Sequence, residues 1–142
     1  MKIKGRQVPD EFRENAIRQE ALGLILKAAE AGQTVNYSDI MEACELPRGR
    51  KLAIAVGVLG EWSHSEWAGV YFSVIVVQKS GKEKGFPYGG FFGAPGLPAA
   101  FHRGPSEWGR SLSATDKEFI RECQAKVFAW AKRGSRTATA AK

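Results

Sequence analysis

The chain has 142 residues, a mass of 15.5 kDa and a pI near 9.5, which is one domain's worth of sequence and enough to bury a core without a metal or disulfide staple. With 44% hydrophobic and 25% charged residues it excludes low-complexity and disulfide-scaffold classes. The formal charge of +6 favours polyanionic partners.

Met1 to Val8 is basic, reads as loosely ordered, and carries no apolar secretory h-region. Asp10 then caps a helix whose first turn holds Glu11 and Glu14, and whose stripe is Ile17, Ala21, Leu24, Ile25 and Ala28. Gly32 supplies a left-handed stop. Thr34-Val35 suits a very short strand, and Asn36 is a good N-cap with Asp39 at the capping-box position. Tyr37, Ile40, Met41 and Cys44 fall at i, i+3, i+4 and i+7, one face of a short helix that Pro47 ends. Leu52, Ala55, Val56 and Leu59 repeat the spacing in a second helix reaching Leu59 or Trp62. Gly57 and Gly60 weaken that helix, and close packing would account for both. Arg48, Arg50 and Lys51 open it where no apolar residue competes for the core, the layout of a helix-turn-helix.

A polar turn at Ser63-His64-Ser65-Glu66 leads to residues 70–78, VYFSVIVVQ, whose β-branched and aromatic content predicts a strand. A charged turn follows, Lys79 to Gly85, and a second strand is expected around Phe91 and Phe92, so that strand, basic turn and strand make a wing. Residues 85–109 are dense in glycine, proline and aromatics, too aromatic for a disordered linker, and read as an ordered loop over the core. Phe91 and Phe92 are expected to be buried there, with Tyr88, Phe101 and Trp108 more exposed. Ser113 caps a last helix, with Asp116 in the capping-box position and Phe119, Ile120, Cys123, Val127 and Trp130 as its stripe. Gly134 to Lys142 reads as a disordered basic tail, leaving residues 1–133 as a single domain.

Chemistry-bearing residues are sparse. His64 and His102 lie in no nucleophile motif, and with Cys44 and Cys123 they lack zinc-ligand spacing. The cysteines read as small buried hydrophobes in a reducing cytoplasm. Gly89-Gly90 matches neither a phosphate loop nor a dinucleotide fingerprint. No catalytic residue, metal or cofactor is therefore expected. The longest apolar run, 70–77, is too short to span a bilayer, so a cytoplasmic protein with no membrane partner is expected.

Gly32 to Tyr37, then Leu46-Pro47, then Ala53 to Gly57, resemble the winged-helix DNA-binding half of the alkylguanine-DNA alkyltransferases and alkyltransferase-like proteins. Val76-Val77 and Gly89-Gly90 match that family's apolar strand and its later paired glycines. The resemblance implies a winged helix and duplex DNA as ligand, with Tyr37 near a target phosphate. Tyr37 can equally be the first residue of a buried stripe. Where the family has its reactive Pro-Cys-His-Arg this chain reads Tyr71-Phe72-Ser73-Val74-Ile75, and Ile54 replaces the arginine that the family inserts into the base stack. Alkyl transfer is not implied.

The sequence thus predicts an α+β chain: a winged helix-turn-helix core with a small β wing, a long Gly/Pro/aromatic loop and a C-terminal helix. Its expected function is non-enzymatic binding of nucleic acid, duplex DNA first. Arg48, Arg50 and Lys51 would meet phosphates and guanine edges, Tyr37 a phosphate, and Lys79, Lys82 and Lys84 a neighbouring groove or backbone. Lys132, Arg133 and Arg136 would add a third cluster on the same face. The alternative is a protein interaction module, an adaptor or inhibitor of the defence or counter-defence type. It would dock through Tyr88, Phe101, Arg103, Trp108 and Arg110.

Overall fold

The computed structural model describes the backbone of residues 2–45 and 51–140. Pro47 and the helix start around Arg48 and Arg50 lie outside the described residues. Helices carry most of the chain, and the strands form two small two-stranded sheets, so the class is α+β.

The N-terminal segment, expected to be loose, is an antiparallel hairpin of β1 (Lys2–Ile3) and β2 (Arg6–Gln7). Lys4 ties it to the other end of the chain: its ammonium lies over the Trp130 ring and donates to the Trp130 carbonyl. The first predicted helix is two. α1 (Asp10–Arg13) has Pro9, not Asp10, as its N-cap, and α2 (Ala16–Glu30) starts afresh because the Asn15 side chain accepts from Arg18 N–H at 3.1 Å. Ala21, Leu22, Ile25 and Ala29 bury its inner face, and Gly32, at φ +67°, ends it as expected.

β3 (Val35–Asn36) leads directly into α3 (Tyr37–Ala43), of which Ile40 is the fully buried residue. α4 (Lys51–Glu66) buries the predicted stripe of Leu52, Ala55, Val56 and Leu59. It also runs further than expected, absorbing the polar Ser63 to Glu66 stretch. Ser63 is fully buried there without penalty, since its hydroxyl donates to the Gly60 carbonyl and accepts from Phe72 N–H, both at 3.0 Å. Gly60 is needed for close approach: a Cβ would fall onto the Ser73 hydroxyl. Gly57 is not, because nothing lies within 4 Å of a Cβ built there.

The predicted strand 70–78 is mostly something else. Phe72–Ile75 form a 3-10 helix, and only Val76–Val77 (β4) are extended. All seven residues from Tyr71 to Val77 are buried, and a run that is apolar on every side carries no period to separate a strand from a turn of helix. β4 pairs in parallel with β3, Val35 opposite Val76 and Asn36 opposite Val77. Its partner is therefore not a second wing strand. Phe91 and Phe92 lie in another 3-10 helix, Gly89–Gly93, although both are buried as expected. The lysine-bearing segment instead closes on itself. Gly85 N–H donates to the Gln78 carbonyl and Gln78 N–H to the Phe86 carbonyl, each at 3.0 Å, and Gly81 and Gly85 take the positive φ that so tight a loop requires.

The chain ends in α5 (Ala114–Ala140). Its start is the predicted capping box: Asp116 N–H donates to Ser113 Oγ at 3.0 Å and Ser113 N–H to the Asp116 carboxylate at 2.9 Å. Ile120, Cys123, Val127 and Trp130 are buried along it, with Phe119 half-buried. The helical backbone continues past Gly134 to Ala140, so the tail expected to be disordered from 134 is helical over most of its length. No helix among the described residues is long and apolar enough to cross a membrane.

Candidate nucleic-acid interface

Three large hydrophobic side chains stand out as exposed, Ile54, Tyr88 and Trp108, at 61%, 51% and 38%. They are not scattered. Trp108 forms a wall shared by two concavities; Tyr88 borders one and Ile54 the other.

The first concavity, a cleft of about 300 Å³, has Lys82, Tyr88, Trp108 and Arg110 around it, with Gln78 and Glu83. Two cations and two aromatic faces thus meet in one place. What brings them together is the docking of the 78–86 loop onto the segment before α5. Lys82 Nζ donates to Ser111 Oγ at 3.1 Å, Leu112 N–H donates to Glu83 Oε1 at 3.2 Å, and Lys117 lies 3.9 Å from the other Glu83 oxygen. Arg110 is exposed and 3.6 Å from Glu107, an ion pair too solvated to hold its guanidinium back from a phosphate. Lys79 and Lys84 are exposed on the same loop.

Trp108 is held firmly at its base. Its indole N–H donates to the Arg103 carbonyl at 2.9 Å, and its ring lies over Gly93, where a Cβ would come within 2.6 Å. Its outer face remains free for a ligand. Tyr88 is propped from behind by Tyr37, the ring centroids 4.6 Å apart. Tyr37 itself is half-buried; burial raises its phenol well above the ordinary value, and the Tyr88 backbone beside the hydroxyl opposes that rise only in part. Tyr37 thus packs behind Tyr88, and its phenol stays neutral.

Two residues expected at a partner surface are not available for it. Arg103 is buried, its guanidinium against the Asp116 carboxylate and stacked over Phe92 at 4.4 Å. The Ser113–Asp116 capping box accounts for this, because it fixes a buried carboxylate that the inward-turned guanidinium neutralises. Phe101 is half-buried and stacks on Phe119 with centroids 4.0 Å apart. Arg48 and Arg50 lie outside the described residues, and Lys51 opens α4.

Of the expected tail cluster, Lys132 and Arg133 are exposed on α5 at a distance from the cleft, and the Arg136 side chain lies outside the described residues. From Ser113, beside the cleft, to Lys132 α5 rises by ~28 Å at 1.5 Å per residue. The sequence reading also missed Ile54 and Ser73. Ile54 carried a signal: it and Val58 are the two large apolar residues of 52–59 off the buried stripe, and Ile54 is the exposed one.

Neither thiol is activated. Burial pushes Cys123 up to about 11, and burial with Glu20 raises Cys44. Among the described residues no group of three or more His, Cys, Asp or Glu side chains is placed to hold a metal ion. In comparisons with known proteins, no family model, curated protein or solved structure matches the chain.

Proposed function

We propose that the protein binds nucleic acid, duplex DNA first, and does no chemistry on it. The observation that carries this reading is the meeting of Lys82 and Arg110 with Tyr88 and Trp108 around one cleft, beside a loop that exposes Lys79 and Lys84. Ammonium and guanidinium groups neutralise phosphates, and aromatic faces accept stacked bases or sugar edges. In this reading α3 and α4 act as a helix-turn-helix whose second helix Lys51 opens, and the 78–86 loop serves as a wing made of a closed loop in place of a hairpin. The resemblance to the winged-helix half of the alkyltransferases supports the same ligand.

Fluorescence anisotropy with a labelled duplex of arbitrary sequence at two salt concentrations tests it. Affinity should fall steeply with salt. Lys82→Ala with Arg110→Ala should weaken binding and flatten the dependence by roughly one unit of slope per lost contact. A doubly substituted protein that binds as the parent does would refute the cleft as the interface. A second reading, a protein partner seated on Ile54, Tyr88 and Trp108, is favoured by the exposure of those three side chains. It predicts no duplex affinity at low salt.

A further inference from the structure

The second concavity has the properties of a small-molecule site in its own right. It measures about 720 Å³, more than twice the cationic cleft, and lies between α4 and the aromatic loop, bordered by Ile54, Gly57, Glu61, Ser73, Gly93 and Trp108. A volume of that size suits a small organic ligand of two or three rings.

Its inner end is polar and unused. Ser73 is only 8% exposed, and no hydrogen bond from any described residue reaches its hydroxyl. The Oγ is not among the fully enclosed unpaired atoms, so it is open to the cavity and available to a ligand. Its place is nonetheless fixed, since it fills the notch that Gly60 leaves by having no Cβ. The walls are flat and apolar: the Trp108 ring, backed by Gly93, and the bare backbone of Gly57, which packs against nothing. Glycine within a helix is unfavourable relative to alanine. With no close neighbour at Gly57 to require it, its effect here is to leave the cavity wide. Exposed Ile54 extends the apolar wall outward, and the exposed carboxylate of Glu61 sets the sign of the charge at the mouth.

We propose that this cavity binds a free, uncharged, planar heteroaromatic molecule. Its ring lies along Trp108 and one ring heteroatom hydrogen-bonds to Ser73 Oγ. Flat walls select a flat ligand, the Ser73 hydroxyl selects one polar atom at the leading end, and Glu61 disfavours anions. The ligand chemistry is therefore opposite to that of the Lys82–Arg110 cleft, although Trp108 borders both.

Saturation-transfer NMR with benzimidazole as the probe, and benzoate as a ring of similar width carrying negative charge, tests the assignment. Benzimidazole should bind saturably and benzoate should not. Ser73→Ala should weaken benzimidazole roughly five- to tenfold, the loss expected for one hydrogen bond. Gly57→Leu, which projects a side chain into the space without touching the core, should abolish the signal. Lys82→Ala should leave it unchanged, so that this result stands apart from the nucleic-acid reading. Benzimidazole saturation that persists in Gly57→Leu, equal saturation by benzoate, or no saturation at all would each overturn the proposal.

Discussion

Arg103 and Asp116 show how one residue's surroundings decide its role. Both side chains are less than a tenth exposed, and one guanidinium nitrogen of Arg103 has no hydrogen-bond partner among the described residues. Removing the carboxylate would strand that cation, so Asp116→Ala should destabilise by about 3–5 kcal/mol in urea melts. Burial pushes the Asp116 carboxyl up, but the Ser113 N–H and the Arg103 guanidinium outweigh it and hold the group below the usual carboxylate range. Its contribution is thus complete above the unfolded value, and it is lost as pH falls through the lower folded one. Urea midpoints of the parent should drop below pH ~4 more steeply than those of Asp116→Asn. The aromatics divide in the same way. Phe92 is fully buried under Arg103, and Phe92→Ala should cost about 3–5 kcal/mol. Trp108 is partly exposed, so Trp108→Ala should melt closer to the parent while losing about 2 kcal/mol or more of binding. The reverse order of melting temperatures would assign the two residues the wrong way round.

Among the elements, α4 carries two glycines with opposite consequences. Gly57→Ala relieves an unfavourable helix residue in open space and should stabilise by up to about 1 kcal/mol. Gly60→Ala drives a methyl into Ser73 and should destabilise, since well-packed cores lose about 1–3 kcal/mol on overpacking. Thermal melts of the pair read the difference directly. The contrast was invisible in the sequence, where both glycines read alike as packing sites. Helices with one polar face were legible: the stripes of α4 and α5 lie where the 3.6-residue period puts them, and the Ser113–Asp116 box marked the start of α5, whereas in α2 only Ala21 and Ile25 of the expected stripe are fully buried, with Leu22 and Ala29 taking the other inner places. The break at Glu14-Asn15 was not, because the apolar period continues across it and only the Asn15 cap interrupts the backbone. Nor was the 3-10 helix at 72–75, whose residues are buried all round. Phe91 and Phe92 are inside as expected, but not in the expected strand. Both belong to the 3-10 helix Gly89–Gly93, whose short run of aromatics and glycines carries no period that separates it from a strand.

For the whole molecule, the decisive fact is a juxtaposition that no local pattern encodes. Lys82 and Arg110 are far apart in the chain, and a hydrogen bond from Lys82 to Ser111 with another from Leu112 to Glu83 sets them around one cleft. Sequence alone distributed these residues between two different functions, lysines for DNA and aromatics for a partner protein, and their convergence unites the two sets. It also separates basic groups that composition had lumped together, because α5 carries Lys132 and Arg133 away from the cleft. Charge near the interface, not total charge, should therefore govern affinity at moderate salt, where interactions between exposed groups fade beyond about 10 Å. Replacing Lys79, Lys82 and Lys84 by alanine should weaken duplex binding and reduce the slope of log affinity against log salt by roughly three units if all three meet phosphates. Replacing Lys132 and Arg133, exposed residues on α5, lowers net charge almost as much and should leave the slope within error of the parent. Equal effects from the two variants in the same anisotropy titration would mean that the protein acts as a diffuse polycation, and the cleft would lose its standing as the binding site.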